Sequence, residues 1–238
     1  MFSIFMLLLF VIGIMLGNWQ LGRAAYKEKV QLQREINTSK SVTRLSSNEQ
    51  GKNLQLMLYR DVYVDGDFDM QHQILLDNQK YQGQPGYYIL TPMRLQGSDM
   101  HVLVNRGWIK QGHDRRVIPQ IPSAAKAVTV EGRLEKIPSV GMKMGEPGEA
   151  GPVWPKRLIY VEMPWLEQQT GFKFLPYVLY QTKGEDIGLV RDWGERFDSV
   201  ERMTADKHNG YALQWFSLAL LVVVMYLVLS VKKVELNE

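Results

Sequence analysis

Two stretches without a single charged side chain lie at the ends of the chain, and they constrain every other inference. Residues 2–17 (FSIFMLLLFVIGIMLG) and 211–231 (YALQWFSLALLVVVMYLVLSV) contain no Asp, Glu, Lys or Arg. A helix needs about 20 mainly apolar residues to cross the hydrocarbon of a bilayer. The second run meets that length, and the first meets it when Asn18, Trp19, Gln20 and Leu21 serve as its interfacial end. Backbone amides left unpaired in hydrocarbon are costly, so each run is expected to be a helix. Two spans return both termini to one side of the membrane and hold a single domain by both its ends on the other side. The expected organisation is a first transmembrane helix at 2–21, a stalk helix and linker at 22–51, a β-rich domain at 52–207, a second transmembrane helix at 208–231 and a short tail at 232–238.

The middle of the chain is long enough to bury a sizeable core. The mean hydropathy is −0.20 in spite of the two apolar runs, so that middle is strongly polar. The formal net charge is only +3 and the basic residues are scattered, which argues against a nucleic-acid partner. The absence of cysteine excludes disulfides, zinc–thiolate sites, iron–sulfur clusters, thiol redox chemistry and covalent C-x-x-C-H haem attachment. The first run is read as an uncleaved anchor and not as a secretory signal. No basic segment precedes Phe2, and no small-x-small site directly follows the apolar stretch, although Ala24 and Ala25 come soon after. Orientation stays open at this level. Lys232 and Lys233 favour a cytoplasmic tail, whereas Arg23, Lys27, Lys29 and Arg34 behind the first run, with Arg202 and Lys207 ahead of the second, favour a cytoplasmic loop. Long domains translocate largely regardless of such charges.

Between the runs, residues 19–37 are rich in Gln, Glu, Lys, Arg and Ala and continue the first helix as a stalk. Residues 38–51 have linker composition. Strand-like segments then recur at 59–68, 72–77, 86–95, 100–110 and 128–135, separated by turns about ten residues apart. That spacing predicts an α+β domain dominated by antiparallel strands, as a small barrel or sheet. Residues 138–155 form a Gly-, Pro- and Met-rich excursion. A strand at 158–163, a short helix at 164–170 opened by Pro164 and a last strand at 174–182 complete the domain, and 192–207 is a charged lead into the second span.

Three constellations carry chemical interest. Trp19, Arg23 and Lys27 follow at four-residue steps and share a helix face, as an interfacial anchor does, while Gly17 just before them permits close approach of another helix. His208, Tyr211 and Trp215, in H-x-x-Y-x-x-Q-W with Gln214, share a face at the start of the second span. A neutral imidazole is a good ligand for haem iron, and aromatics beside it can pack on a macrocycle; the competing reading is a solvated histidine at a helix start. The third is VLVNRGW at 102–108, read as a strand terminus with a bulge whose Arg106 pairs with a carboxylate, or alternatively as a docking or ligand edge.

LGNWQLGRAAYK, GYYILTPM, VLVNRGW, VEGRL and HNGYALQWFSLA, in that order between two terminal spans, resemble the surfeit-locus-one (Surf) family of cytochrome oxidase assembly factors. The resemblance implies a multi-pass inner-membrane protein whose central domain faces the periplasm. With no transit peptide ahead of the first run, a bacterial member is expected. It implies an assembly factor for a haem-copper terminal oxidase, a chaperone that assists insertion of haem a into subunit I, and not an enzyme. His208 matches the family's candidate haem ligand. Around it, Tyr211, Gln214, Trp215 and Trp19 are expected to contact the ring and Arg23 a propionate. The only metal expected is the iron that His208 would ligate through haem. Expected partners are oxidase subunit I, other oxidase assembly factors or haem a synthase, and the lipid bilayer. The client, a cytochrome c or a quinol oxidase, is left open.

Three other readings compete. The chain can be a scaffold that stabilises an oxidase assembly intermediate without binding a cofactor, with His208 purely structural. A copper carrier would use Met100, His101, Met142 and Met144, a sparse ligand set. A tethered enzyme lacks support: no cysteine nucleophile, no G-x-S-x-G elbow and no H-E-x-x-H spacing among His72, His101 and His113.

Overall fold

The computed structural model describes residues 1–46, 52–125, 127–138, 142, 143, 145–184, 188–194, 197 and 204–235. They form two compact units. One comprises residues 1–33 with 197–238, the other residues 34–196.

The first unit is a helix pair. Helix α1 runs unbroken over Phe2–Thr38, so the apolar run and the stalk expected behind it are one element. A second long helix, α4 in chain order after the short helices α2 (Lys52–Leu56) and α3 (Met163–Thr170), covers Ala205–Glu235. Thr204 caps it, its hydroxyl accepting from the Lys207 N–H at 3.4 Å. Both helices are long and apolar enough to cross a bilayer, and most of their large apolar side chains are exposed, as lipid-facing residues are. On α1 the covered positions Met6, Phe10, Gly13, Gly17, Gln20 and Ala24 recur in alternating steps of four and three, with Ile14 and Leu16 half-buried beside them. On α4 they are His208, Ala212, Trp215, Phe216, Ala219, Val222 and Tyr226. A period of about 3.5 residues is that of a left-handed pair of helices. Small residues set the spacing. A Cβ on Gly13 would stand 3.0 Å from the Cβ of Ala219, and one on Gly17 would run into the ring of Phe216.

The second unit is a barrel with additions. Strand β2 (Asp61–Phe68) pairs with β6 (Ala127–Lys136), β6 with β8 (Lys173–Gln181), β8 with β5 (Met100–Lys110), β5 with β4 (Gln84–Leu95), and β4 with β2 again. Five strands thus close on themselves. All of these pairings are antiparallel except β5 with β8. Closure needs β4 to serve two neighbours. Its first part pairs with β3 (Ile74–Tyr81), and its last residues, Met93 to Leu95, pair with Gly66 to Phe68 of β2. Gly66 makes that approach possible, because a Cβ there would collide with the carbonyl of Arg94. Strand β1 (Thr43–Arg44), inside the expected linker, adds in parallel to β2, and β7 (Lys156–Leu158) adds in parallel to β3. A short helix α2 covers Lys52–Leu56.

Alternation along the strands fills the interior. Val62, Val64 and Phe68 of β2, Met93 and Leu95 of β4, Val102 and Val104 of β5, Val130 and Leu134 of β6, and Leu175 and Leu179 of β8 form one apolar cluster. The last turn of α1 also belongs to this unit. Arg34 donates from Nη1 and Nη2 to the two carboxylate oxygens of Glu135 at 3.0 and 2.8 Å, and its guanidinium lies 4.0 Å from the Tyr59 ring centroid. Asn37 donates from Nδ2 to the carbonyls of Leu56 and Leu58 at 3.1 and 2.7 Å.

Three local expectations change. The strand expected at 158–163 is instead β7 over Lys156–Leu158, and helix α3 (Met163–Thr170) begins where that strand was to end. Pro164 sits in the first helical turn, and Ile159 is exposed, so the apolar letters of LIYVEM do not face one covered surface. The break expected at Gly83 to Pro85 is a two-residue hairpin turn in which Gln82 and Gly83 both take positive φ, and β4 starts at Gln84. The Asn-Arg-Gly expected at a strand end lies within β5 as a bulge. Asn105 faces Leu90 and Gly107 faces Ile89, leaving Arg106 as the extra residue. Arg106 is fully buried and has no carboxylate partner among the described residues: Nη2 donates to the Pro122 carbonyl at 2.8 Å, and the Phe68 ring centroid lies 5.7 Å away. Part of the 138–155 excursion and half of the 192–207 lead lie outside the described residues.

Candidate functional site

Within the helix pair, Tyr226 donates from its hydroxyl to Ser3 Oγ at 3.4 Å in an exposed contact, and the buried polar side chains among the described residues lie at one other level of the seam. There His208, in the first turn of α4, and Gln20 of α1 are both buried, with 6 % and 8 % exposure. The His208 Nδ1 stands 2.6 Å from the Gln20 Oε1. An amide oxygen only accepts, so with this amide orientation the imidazole proton resides on Nδ1. Nε2 then carries the lone pair, and it makes no hydrogen bond to any described residue. This is the arrangement that prepares a histidine for a metal: one ring nitrogen held by a protein oxygen, the other left as a ligand. The donor set is a single imidazole, which suits an iron whose remaining ligands arrive with a macrocycle, so the residues fit haem.

The other expected site residues are distributed around this pair. Trp215 is half-buried, whereas Tyr211 is 43 % exposed and Gln214 is exposed. Trp19 adjoins Gln20 in sequence but turns about 100° round the helix from it, and it is 56 % exposed. Arg23 is exposed, with its guanidinium 5.9 Å from the Tyr26 ring centroid. The seam therefore holds His208 and Trp215, while Trp19, Arg23, Tyr211 and Gln214 are each exposed.

Gln20 is the residue that sequence reasoning left unassigned. Its signal is the spacing of Gly13, Gly17, Gln20 and Ala24, which puts the amide on the face that the two glycines clear for a neighbour.

The barrel unit carries a separate open cleft of about 860 Å³, lined by the turn after β2 (Phe68, Asp69, Met70), by His101 and by Phe172. The His101 ring stacks flat on Phe172 at 4.2 Å with an interplanar angle of 4°. Its Nδ1 lies 3.1 Å from the carbonyl of Asp99, and burial pushes its pKa down. Asp69 accepts from His72 Nδ1 at 2.8 Å. Burial works to raise the Asp69 pKa, but hydrogen bonds from the His72 ring, the His72 N–H and the Gln71 N–H outweigh it and hold the carboxyl below its usual range. These histidines are engaged with rings and neighbouring oxygens. Met142 is exposed, and Met144 lies outside the described residues.

Comparison with known proteins places this architecture. The sequence profile of the SURF1 family matches residues 7–220, which takes in most of the first long helix, the barrel and the first half of the second long helix. The chain is 27 % identical over 101 residues to the cytochrome oxidase assembly protein SHY1 of Saccharomyces cerevisiae, an alignment covering 42 % of this chain and 26 % of that protein. It is 29 % identical over 106 residues to a SURF1-like protein of Dictyostelium discoideum, covering 41 % of this chain and 38 % of the relative. A SURF1-like protein of Drosophila melanogaster is 32 % identical over 123 residues, covering 45 % of this chain and 40 % of the relative. Each alignment spans less than half the length of the relative it matches.

Proposed function

The chain belongs to the SURF1 family, and on that premise we propose that it is a membrane-anchored assembly factor for a haem-copper terminal oxidase which assists the insertion of haem a into subunit I. The likeness to the yeast cytochrome oxidase assembly protein supports the oxidase client. The single observation that carries the haem reading is the His208 to Gln20 hydrogen bond, which holds the proton on Nδ1 and keeps Nε2 as the lone-pair nitrogen.

In this reading His208 would ligate the iron through Nε2. Tyr211, Trp215 and Trp19 would offer apolar ring surface, Gln214 a polar contact, and Arg23 a bidentate partner for a propionate. Haem a is cargo, and its iron supplies the open coordination position that an imidazole fills. A site on one imidazole and exposed aromatics suits a carrier, since transfer to a client requires release. The helix pair lies in a bacterial inner membrane with the barrel on the periplasmic side. The partners are subunit I and either other oxidase assembly factors or haem a synthase. The reading is of a chaperone and not of an enzyme.

The test is the optical spectrum of the full chain purified in detergent from a host that makes haem a. The expected result is a bound-haem spectrum in the unaltered protein that is lost or shifted in His208→Ala. Full haem content and an unchanged spectrum in His208→Ala would remove the ligand assignment.

A second reading rests on the same hydrogen bond. A buried amide and imidazole that satisfy each other can serve only to join two helices, which leaves a scaffold that stabilises an assembly intermediate without a cofactor. Oxidase made in cells lacking this protein separates the two. Subunit I without haem a supports delivery, and haem-replete but unassembled subunits support the scaffold.

A further inference from the structure

Among the described residues, three histidines hold Nδ1 against an oxygen, and the three oxygens differ in kind. In the barrel unit His72 faces the Asp69 carboxylate at 2.8 Å, and His101 faces the backbone carbonyl of Asp99 at 3.1 Å. In the helix pair His208 faces the side-chain amide of Gln20 at 2.6 Å. The kind of oxygen matters wherever the other ring nitrogen is a ligand. An imidazole that donates from Nδ1 becomes more basic at Nε2. The gain rises with the pull of the acceptor, and a hydrogen bond to an ionised group is about twice as strong as one between neutral groups. A carboxylate therefore makes the ring a strong electron donor. An amide oxygen fixes the same tautomer and orientation and leaves the ring a weaker one.

Packing does not select the amide. Gln20 follows Gly13 and Gly17 on the covered face of α1, and a glutamate side chain has nearly the same volume and shape. Charge separates the two. Both His208 and Gln20 are buried, and a carboxylate at position 20 would place an ion among the small and apolar residues of the seam, which is costly. The carboxylates of neighbouring turns do not take its place. Asp206 is exposed and lies two residues before His208, about 200° round α4 from it. Glu28 is eight residues beyond Gln20 on α1, about 12 Å along the axis. Among the described residues no carboxylate pairs with His208.

We propose that Gln20 is a positioning residue that sets the strength of the iron bond: by giving His208 a neutral acceptor, it keeps Nε2 a weak ligand and lets the cargo leave. This rests on the haem reading above. A carrier has to orient its cargo and also surrender it. The amide holds the ring plane and the proton, and it withholds the added donation that a carboxylate would supply.

The experiment compares the full chain with Gln20→Glu and Gln20→Leu, each purified in detergent from a host that makes haem a. Two quantities are read, the rate at which haem a passes to an excess of apomyoglobin and the midpoint potential of the bound haem. A ring that donates more favours ferric over ferrous iron. Gln20→Glu should release haem about tenfold more slowly, the lower end of the range for partners of metal-bound histidines. Its potential should fall, by about 59 mV where the tenfold gain is confined to ferric iron. Gln20→Leu, which offers no acceptor, should shift both quantities the other way. The potential separates this role from a structural one, because loosening the helix pair would not move it in opposite directions in the two variants. Unchanged release and potential in Gln20→Glu, alongside loss of the bound-haem spectrum in His208→Ala, would overturn this proposal and leave the haem reading in place. Shifts of the same sign in both variants would overturn it too. Full haem in His208→Ala would overturn both.

Discussion

The helix pair and the barrel keep polar side chains inside by different means. In the helix pair one amide and one imidazole meet at 2.6 Å among glycines and alanines. In the barrel, two buried carboxylates are paired as ions, Glu135 with Arg34 and Asp77 with Arg115, and the unit holds a large aliphatic core. The difference follows from the solvent. Water drives the barrel's apolar side chains together. Lipid tails are as apolar as leucine, so two helices in a bilayer gain nothing from hiding leucines and depend on close backbone approach and on hydrogen bonds. Substitutions that remove bulk or charge should therefore damage the barrel, and substitutions that add bulk should damage the helix pair.

The largest effect is expected from Glu135→Ala. It leaves the largely buried Arg34 guanidinium without its counter-ion and should cost about 3–5 kcal/mol of barrel stability, measured by urea unfolding of the full chain. A loss under about 1 kcal/mol would mean that the Tyr59 ring and water suffice for Arg34. Gly17→Leu comes next and should act only on the helix pair. Because the chain has no cysteine, Gly13→Cys with Ala219→Cys gives a clean disulfide reporter. Its yield after oxidation, scored on protein nicked by protease between the two positions, should fall severalfold when Gly17→Leu is added. The urea midpoint of the barrel should stay where it was.

The third effect is a pH dependence confined to the barrel. Burial lowers the His101 pKa from its ordinary value of 6.5, so the unfolded chain binds a proton more readily than the folded one. Stability is therefore expected to fall as pH drops below about 6.5. Asp69, held below the ordinary carboxylate range of 3.8, keeps its stabilising charge through that interval and loses it only in stronger acid. His101→Phe, which preserves stacking on Phe172, should flatten the slope between pH 7.5 and 5.5. An unchanged slope would assign the dependence to other groups. The smallest effect belongs to Gln20→Leu, about 0.6 kcal/mol by the measured average for interhelical hydrogen bonds in membranes. It should be read as a modest drop in the same disulfide yield.

Much of this was legible in the sequence where one force dominates. The two spans follow from uninterrupted apolar runs, and β5 follows from MHVLVNRGWIK, whose ends match the structure. The barrel was one of two forms expected, because strand spacing does not reveal closure. Closure depends on β4 pairing with two partners and on Gly66 having no side chain, both properties of residues far apart in the chain. The strand at 158–163 was misplaced because apolar content outweighed the proline that opens α3. Arg106 was expected to pair with a carboxylate, as buried arginines commonly do, and a linear sequence does not show that the Pro122 carbonyl takes that place among the described residues. In the helix pair, His208 and Gly17 were recognisable separately. Their relation through Gln20 is visible only when the two helices are laid side by side.

That buried polar rung has a further consequence. The Phe216 ring against Gly17 already favours one axial setting of the two helices by packing. Sliding α1 by a turn in either direction would leave the Gln20 amide opposite alkyl groups in hydrocarbon and the imidazole without its oxygen. The bond between them makes one axial setting of the two helices lower in energy than its neighbours, much as a single buried asparagine sets the alignment of a coiled coil.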